Sequence, residues 1–482
     1  MSLDTRFYAL TAIRWLPVGL TFGLIVLLPL ERGLSMTQIG LLLSIQGFVV
    51  LGLEIPSGAI ADTLGRKPVL IVGTFLAIFS TALFVGATSF ALFAVSLVLQ
   101  GVYRALDSGP LEAWYVDNAD PLRVPTVLAR ASTVLGITIA GGALIGGGLI
   151  AWNPLHFSSA LVLPYVVAIA VGALNMVALF VWVGNRRPES LLPNVTEDAP
   201  GRFTVPTDRE PRETPKSEPC PSDILGDPFP DPAIPVADAP SFPTPEPSFL
   251  PPDTGEDIRP GALRALRTSA HMLRHSRALQ GLLAVEVFWA VAMIAFETLS
   301  PLRLADLVGS ADRAGAIFGP ASAVAWGLFS LGSLASSWLA PRFGVVPVAI
   351  VGRLLNGLMV IGMGVAGGVT GLLIGYGLAY TTHGIAGPMH SALLHSEATN
   401  ANRATILSLN SLVAGATYSV GLLILTALAD STSLSTAIVA AGHSVCWGRC
   451  VTSPRFVTRR RRVHCRRTEC PTLFPPPAPP LS

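Results

Sequence analysis

Gly58-Ala59-Ile60-Ala61-Asp62-Thr63-Leu64-Gly65-Arg66-Lys67-Pro68-Val69-Leu70 is the stretch on which the reading of this chain turns. An apolar run ends at Ala61 and another begins at Pro68, so the charged residues occupy a very short connection between two apolar segments. Gly65 gives the backbone freedom for a tight turn, and Pro68 suits the first turn of a following helix. Two basic residues between membrane spans would account for Arg66 and Lys67. They leave Gly58, Asp62 and the spacing unexplained.

Of 482 residues, 51% are hydrophobic and 13% charged, which is too apolar for a water-soluble globular chain. A helix crosses a bilayer with about 20 apolar residues. Runs of that kind recur near 8–30, 39–61, 69–87, 90–116, 126–152 and 158–183, and again near 278–302, 314–339, 345–366, 371–394, 404–429 and 434–446. Long unalternated runs in lipid can only be helices. The expected fold is therefore all-α, with about twelve spans in two sets of six. Arg6, Arg66, Lys67, Arg123, Arg130, Arg186, Arg187, Arg342 and Arg403 fall on one face if the spans alternate, against Arg32, Arg303 and Arg313 on the other. Both termini are then expected in the cytoplasm, in a multi-pass protein of the plasma or inner membrane. The net charge of +2, with basic residues confined to loops and tails, gives no footprint for nucleic acid.

The expected domains are a first six-helix half (1–185), a Pro-rich linker too poor in large apolar residues to bury a core (186–260) and a basic amphipathic segment (261–277). A second half (278–447) and an irregular tail (448–482) follow. In the amphipathic segment Arg264, Arg267, Arg274 and Arg277 alternate with Leu263, Leu266 and Leu273, which fits a membrane surface and leaves partner docking open. The tail is basic, then proline-rich, and Cys446, Cys450, Cys465 and Cys470 do not follow a zinc-ligand spacing. It reads as translation out of the native frame. No metal site and no cofactor are expected, and the chain is expected to act as a monomer.

The order Gly58-x-Ile60-Ala61-Asp62-x-x-Gly65-Arg66-Lys67 resembles the signature loop of the major facilitator superfamily of secondary transporters, with Thr63 where that family often has arginine. The resemblance implies two six-helix halves around a central cavity and transport by alternating access. It implies a switch role for Gly58, Asp62, Gly65, Arg66 and Lys67. Asp62 would pair with the other half when the inner gate closes, and Arg66 would anchor on an acid such as Asp117. Internal matches agree with duplication: Leu339 to Gly344 repeats Ile60 to Gly65 without the acid, Gly387-Pro388 repeats Gly109-Pro110, and Ser300-Pro301-Leu302 repeats Leu28-Pro29-Leu30. In the fifth segment Gly142, Gly146 and Gly147 belong to a run resembling the glycine motif of proton-coupled antiporters, with Ala143 in place of its proline and Thr138 in place of its earlier glycine. Glu54-Ile55-Pro56-Ser57-Gly58 resembles multidrug-efflux members.

Ionisable residues inside spans mark function or pairing. They concentrate in the first segment (Arg14), the fourth (Arg104, Asp107, Glu112), the seventh (Glu286, Glu297) and the tenth (His383, His390), the set expected to line a cavity. Arg104 and Asp107, three apart, are expected to neutralise each other, and Arg14 to pair with Glu286 across the halves. Desolvation favours a carboxylate's neutral form, which makes Glu286, then Asp107 and Glu112, the proton-coupling candidates. His383 and His390 are further candidates, and Glu297 is placed near the outer mouth. Trp15, Trp289, Tyr376 and Tyr380 offer aromatic surface on the same helices, suited to a cationic or amphipathic organic substrate. The expected function is proton-driven export of a small organic compound. Uptake or facilitated diffusion of a metabolite stays open, as does a transport-inactive scaffold or sensor. No nucleophile constellation or phosphate-binding loop points to an enzyme.

Overall fold

Glycine, proline and hydroxyl caps set where the helices begin and end. In a computed structural model, residues 1–184, 273–274, 276–398 and 403–451 are described, and they are helical almost throughout, with no strand among them. Side chains at 55, 58–59, 62, 401–405 and 446–451 lie outside this description, as do the expected linker, nearly all of the 261–277 segment, and the tail from 452 on.

In the first half α1 (Leu3–Leu20) and α2 (Leu24–Glu31) stand end to end across a break at Gly23, whose φ of +77° suits glycine. α3 (Met36–Leu64) starts at a capping box made by Ser35 and Gln38 and stops at Gly65, φ +91°, after which α4 (Arg66–Gly86) turns back. α5 (Phe90–Leu106) and α6 (Pro110–Asn118) are again two pieces of one crossing, separated at Gly109, φ +98°. α7 (Val124–Trp152) and α8 (Val162–Trp182) complete the set. The second half opens with α9 (Arg277–Ile294), a π-helical turn at Ala295–Leu299 and α10 (Ser300–Val308). α11 (Ala311–Phe343), α12 (Val345–Val365), α13 (Val369–Glu397), α14 (Arg403–Ser431) and α15 (Leu434–Val451) follow. The first, fourth and seventh crossings thus each run through a break, leaving twelve rods among the described residues.

Among the described residues ten helices are long and apolar enough to cross a membrane. α13 has the length, at 29 residues, but its histidines, threonines and glycines make it too polar to count among them. That is what a helix facing a polar interior should look like. Among the residues with described side chains, the apolar part of α15 runs over Leu434–Val445.

The buried apolar residues are shared unevenly between the two faces of the bundle. On the face away from the N-terminus one core joins both halves: Leu24, Leu27, Phe93 and Ile150 pack with Phe296, Leu302, Phe318 and Leu425. On the amino-terminal face the cores are separate. Phe7, Leu10, Leu111, Trp114 and Tyr115 form one within the first half. Leu279, Leu283, Leu394 and Ile406, and around Val348 and Met389 a further group, belong to the second. The halves are therefore closed together at one face and parted at the other, and a cleft opens between them toward the amino-terminal face.

Carboxylates of the second half cap helix N-termini of the first at the closed face. Met36 N and Thr37 N, at the start of α3, donate to Asp430 at 3.1 and 2.7 Å, and Leu161 N, before α8, donates to Asp312 at 3.2 Å. Helix N-termini present unsatisfied N–H groups and a partial positive charge, so an acid there is doubly favourable.

Small residues then let the helices touch backbone to backbone. A Cβ on Gly142 would meet Gly19 Cα of α1 at 2.9 Å, one on Gly146 would meet Leu20 O at 2.2 Å, and one on Gly147 would meet Ala316 O of α11 at 3.0 Å. From the other side a Cβ on Gly319 would meet Ala143 O at 2.3 Å. The glycine run of α7 is thus a contact with α1 in its own half and with α11 in the other.

Gly319→Val tests this contact. Overpacking costs about 1–3 kcal/mol, enough to move a two-state ratio about tenfold toward the arrangement in which α7 and α11 part. Spin labels at Leu122 and Phe343, both exposed on the amino-terminal face of opposite halves, are expected to move closer in the variant when its five native cysteines are replaced. An unchanged distance distribution would show that the glycine contact does not hold the closed face.

Candidate functional site

Each half carries its own buried ion pair. In the first, α5 ends at Leu106 and Asp107 stands at its C-cap, before Ser108 and Gly109 turn the chain into α6. A helix interrupted inside a membrane leaves carbonyls that need donors, and Arg14 of α1 supplies them. Its Nε lies 2.6 Å from Asp107 Oδ2, and its Nη2 donates to the Asp107 carbonyl at 2.6 Å. Nη1 lies 3.4 Å from Glu112 Oε1, whose side chain is 46% exposed against 10% and 14% for Arg14 and Asp107. Glu112 is the member of this group within reach of water. The guanidinium also sits 5.6 Å from the ring centroid of Trp15.

Two expected pairings do not form. Arg104 does not neutralise Asp107, whose side chain and carbonyl are both taken by Arg14 of α1. Arg14 and Glu286 do not meet across the halves, since each finds its partner at home.

In the second half Glu286 of α9 is buried between α12 and α13. Its Oε2 lies 3.6 Å from Arg353 Nη2 and 3.2 Å from His390 Nε2, and that histidine nitrogen is 3.3 Å from Asn410 Oδ1 on α14. Arg353 lies 4.6 Å from the ring centroid of Trp289, which stacks on His383 at 4.9 Å. Arg353 Nε and Nη1, Trp289 Nε1 and His383 Nδ1 are buried without a hydrogen-bond partner. Tyr376 and Tyr380, both buried, pack edge to face at 4.9 Å, and Tyr376 reaches Ser322 at 3.2 Å.

Glu297 is not at a mouth of the bundle. Residues eleven apart in an unbroken α-helix lie within about 20° of each other, which would put Glu286 and Glu297 on one stripe. The π-helical turn at Ala295–Leu299 disrupts that register. Glu286 turns into its own half, while Glu297 comes within electrostatic reach of Arg104 in the first half and of Tyr376, Tyr380 and Tyr418.

The signature loop is partly described. Arg66 Nε is 3.5 Å from Asp117 Oδ2, as the resemblance implied, and Lys67 Nζ donates to Phe180 O at 3.0 Å. The side chains of Gly58 and Asp62 lie outside the described residues. Among the described residues no cluster of histidine, cysteine or acidic side chains is arranged to hold a metal ion.

Arg353 stands in the sequence as a lone charge within an apolar run, whereas Asn410 and Tyr418 do not stand out. A lone arginine in an apolar helix must have a buried partner, so Arg353 was findable. Asn410 and Tyr418 carry no charge to give them away.

A family model described as Major Facilitator Superfamily matches residues 7–422. The chain belongs to that superfamily. A relative, an uncharacterized MFS-type transporter, YxaM of Bacillus subtilis strain 168, is 25% identical over 177 residues, which is 37% of this chain and 42% of that protein's length. Among solved structures, the nucleoside transporter NupG superposes with a TM-score of 0.67 at 10% identity, over 95% of this chain and all of that one. A bacterial homologue of the human lysosomal transporter Spinster, in an inward-facing and unoccupied conformation, gives 0.64 at 14% identity, over 94% and 96%. These likenesses are of fold. As a member of the superfamily the chain is a multi-pass membrane protein.

Removing one partner of the Arg14–Asp107 pair leaves a buried charge alone. Arg14→Met is expected to destabilise the protein by about 3–5 kcal/mol, read as a lowered melting temperature in detergent. The double variant Arg14→Met/Asp107→Leu should recover most of that loss. A single variant as stable as the parent would show that water reaches and solvates Asp107.

Proposed function

We propose that this superfamily member is a proton-coupled exporter of a small organic compound, with Glu286 as its coupling group. The observation that carries the reading is the seat of Glu286: a buried carboxylate beside a permanent cation, Arg353, and within 3.2 Å of the ring nitrogen of His390. A proton arriving at Glu286 removes the negative charge facing Arg353 and loosens the contacts of α9 with α12 and α13. Charge changes at such a point can bias the packing of a whole half.

Orientation enters through the loops. With the basic residues on the cytoplasmic side, the amino-terminal face is cytoplasmic and the cleft faces inward. The apolar core at the other face, with the caps at Asp430 and Asp312, is then the closed outer gate. Transport would alternate between this arrangement and one in which the inner face closes, with Arg66, Asp117 and the signature loop as the inner latch. The partial glycine motif of α7 and the Glu54 to Gly58 stretch support the direction of export. The partners on this reading are the substrate, protons and the lipid bilayer, and the working unit is a monomer.

Proteoliposomes loaded with a panel of fluorescent organic compounds, cationic and zwitterionic, provide the test. Efflux driven by an imposed pH gradient, and losing that dependence in Glu286→Gln, is the expected result. Transport that ignores the gradient in the parent protein would overturn proton coupling. Gradient-driven transport intact in the variant would move the coupling role to Asp107 or Glu112.

A further inference from the structure

The cleft between the halves holds two charges that the ion pairs leave over. Arg104, in the last turn of α5, is exposed and makes no hydrogen bond or ion pair among the described residues. Glu297, in the π-helical turn of the other half, is half-buried and likewise has no hydrogen-bonded partner there. Arg104 is the cation within electrostatic reach of Glu297, yet the two do not touch. Tyr418 is near both and is fixed in place by a 2.8 Å hydrogen bond to Thr298, next to Glu297. Tyr376 and Tyr380 complete an aromatic wall on the acid's side.

We infer that the cleft takes a small zwitterion, its cationic group at Glu297 and the tyrosines and its anionic group at Arg104. This rests on the transporter reading and names the substrate class for it. The geometry supplies the two recognition elements. A carboxylate beside aromatic faces suits an ammonium group, and an unpaired guanidinium suits a carboxylate. Because the two charges belong to different halves, the ligand is also what lets the cleft close. Closing around a simple cation would bury Arg104 with its charge unanswered, and closing around a simple anion would do the same to Glu297. An isolated charge withdrawn from water is strongly unfavourable. A dipolar ligand answers both and draws the halves together.

The test is equilibrium binding to the full-length protein in detergent, using phenylalanine, leucine and tryptophan. Each is presented as the free zwitterion, as its methyl ester (a cation) and as its N-acetyl derivative (an anion). At least one zwitterion should bind about tenfold or more tightly than both of its singly charged forms. Arg104→Gln should erase the preference over the ester, and Glu297→Gln the preference over the N-acetyl acid. Arg104→Lys, which keeps the charge, should retain selectivity and shows whether a loss reflects charge or folding. Esters binding as well as zwitterions, failure of all three zwitterions to bind, or variants that lose stability without changing selectivity would each overturn the inference. Binding requires no turnover. A zwitterion bound selectively but not moved across proteoliposomes would keep the substrate class and sink the transporter reading, and transport of a cation unaffected by Arg104→Gln would do the reverse.

Discussion

A charge or a bare carbonyl inside a bilayer must find its partner within the protein, and the interior of this chain is arranged around that requirement. The pairing of Arg14 with Asp107 shows it most directly, because one guanidinium answers both the side chain and the backbone of the residue where α5 ends. The break creates the need and the arginine meets it. With Asp107 answered by Arg14, Arg104 is left without an ion pair among the described residues.

The two halves solve the same problem differently. In the first half the interruptions are glycines at positive φ, Gly23 and Gly109, and the acid sits at the break itself. In the second half the Gly387-Pro388 repeat of Gly109-Pro110 lies inside an unbroken α13, and the interruption falls in the seventh crossing as a π-helical turn. The offset that aligns Leu28-Pro29-Leu30 with Ser300-Pro301-Leu302 also sets Gly23 close to the start of that turn. Duplication therefore preserved where the first helix of each half yields, while the means of yielding diverged. The acid lost from the repeat of the signature loop, where Pro341 replaces Asp62, belongs to the same divergence.

Much of this was legible in the residues. Run length and the absence of alternation announce membrane helices, and the Gly58 to Lys67 loop points to the superfamily. The clustering of ionisable groups in the first, fourth, seventh and tenth crossings points to an interior polar site. The pairings were not legible, for a physical reason. Spacing rules such as three or four residues per face hold only along an intact helix, and the site is built where helices are not intact. Gly109 could have warned of the first break, since a glycine before proline is a natural helix end. The π-helical turn at Ala295–Leu299 has no such marker. Its residues are ordinary helix formers, and the wider turn is imposed by packing. The choice of Arg353 rather than Arg14 as the partner of Glu286 depends on how α9 and α12 lie in space, which no one-dimensional pattern encodes.

The glycine contact between α7 and α11 has a kinetic side. Where large side chains interdigitate, turning one helix against another lifts knobs out of holes. Where Ala143 and Gly147 meet Gly319 there are almost no knobs to lift, only two smooth backbones. Such a seam works as a plain bearing: it carries load across the halves yet resists rotation little. The caps at Asp430 and Asp312 can then act as the catch, setting how long the closed face persists. The bearing sets how fast it moves once the catch is released.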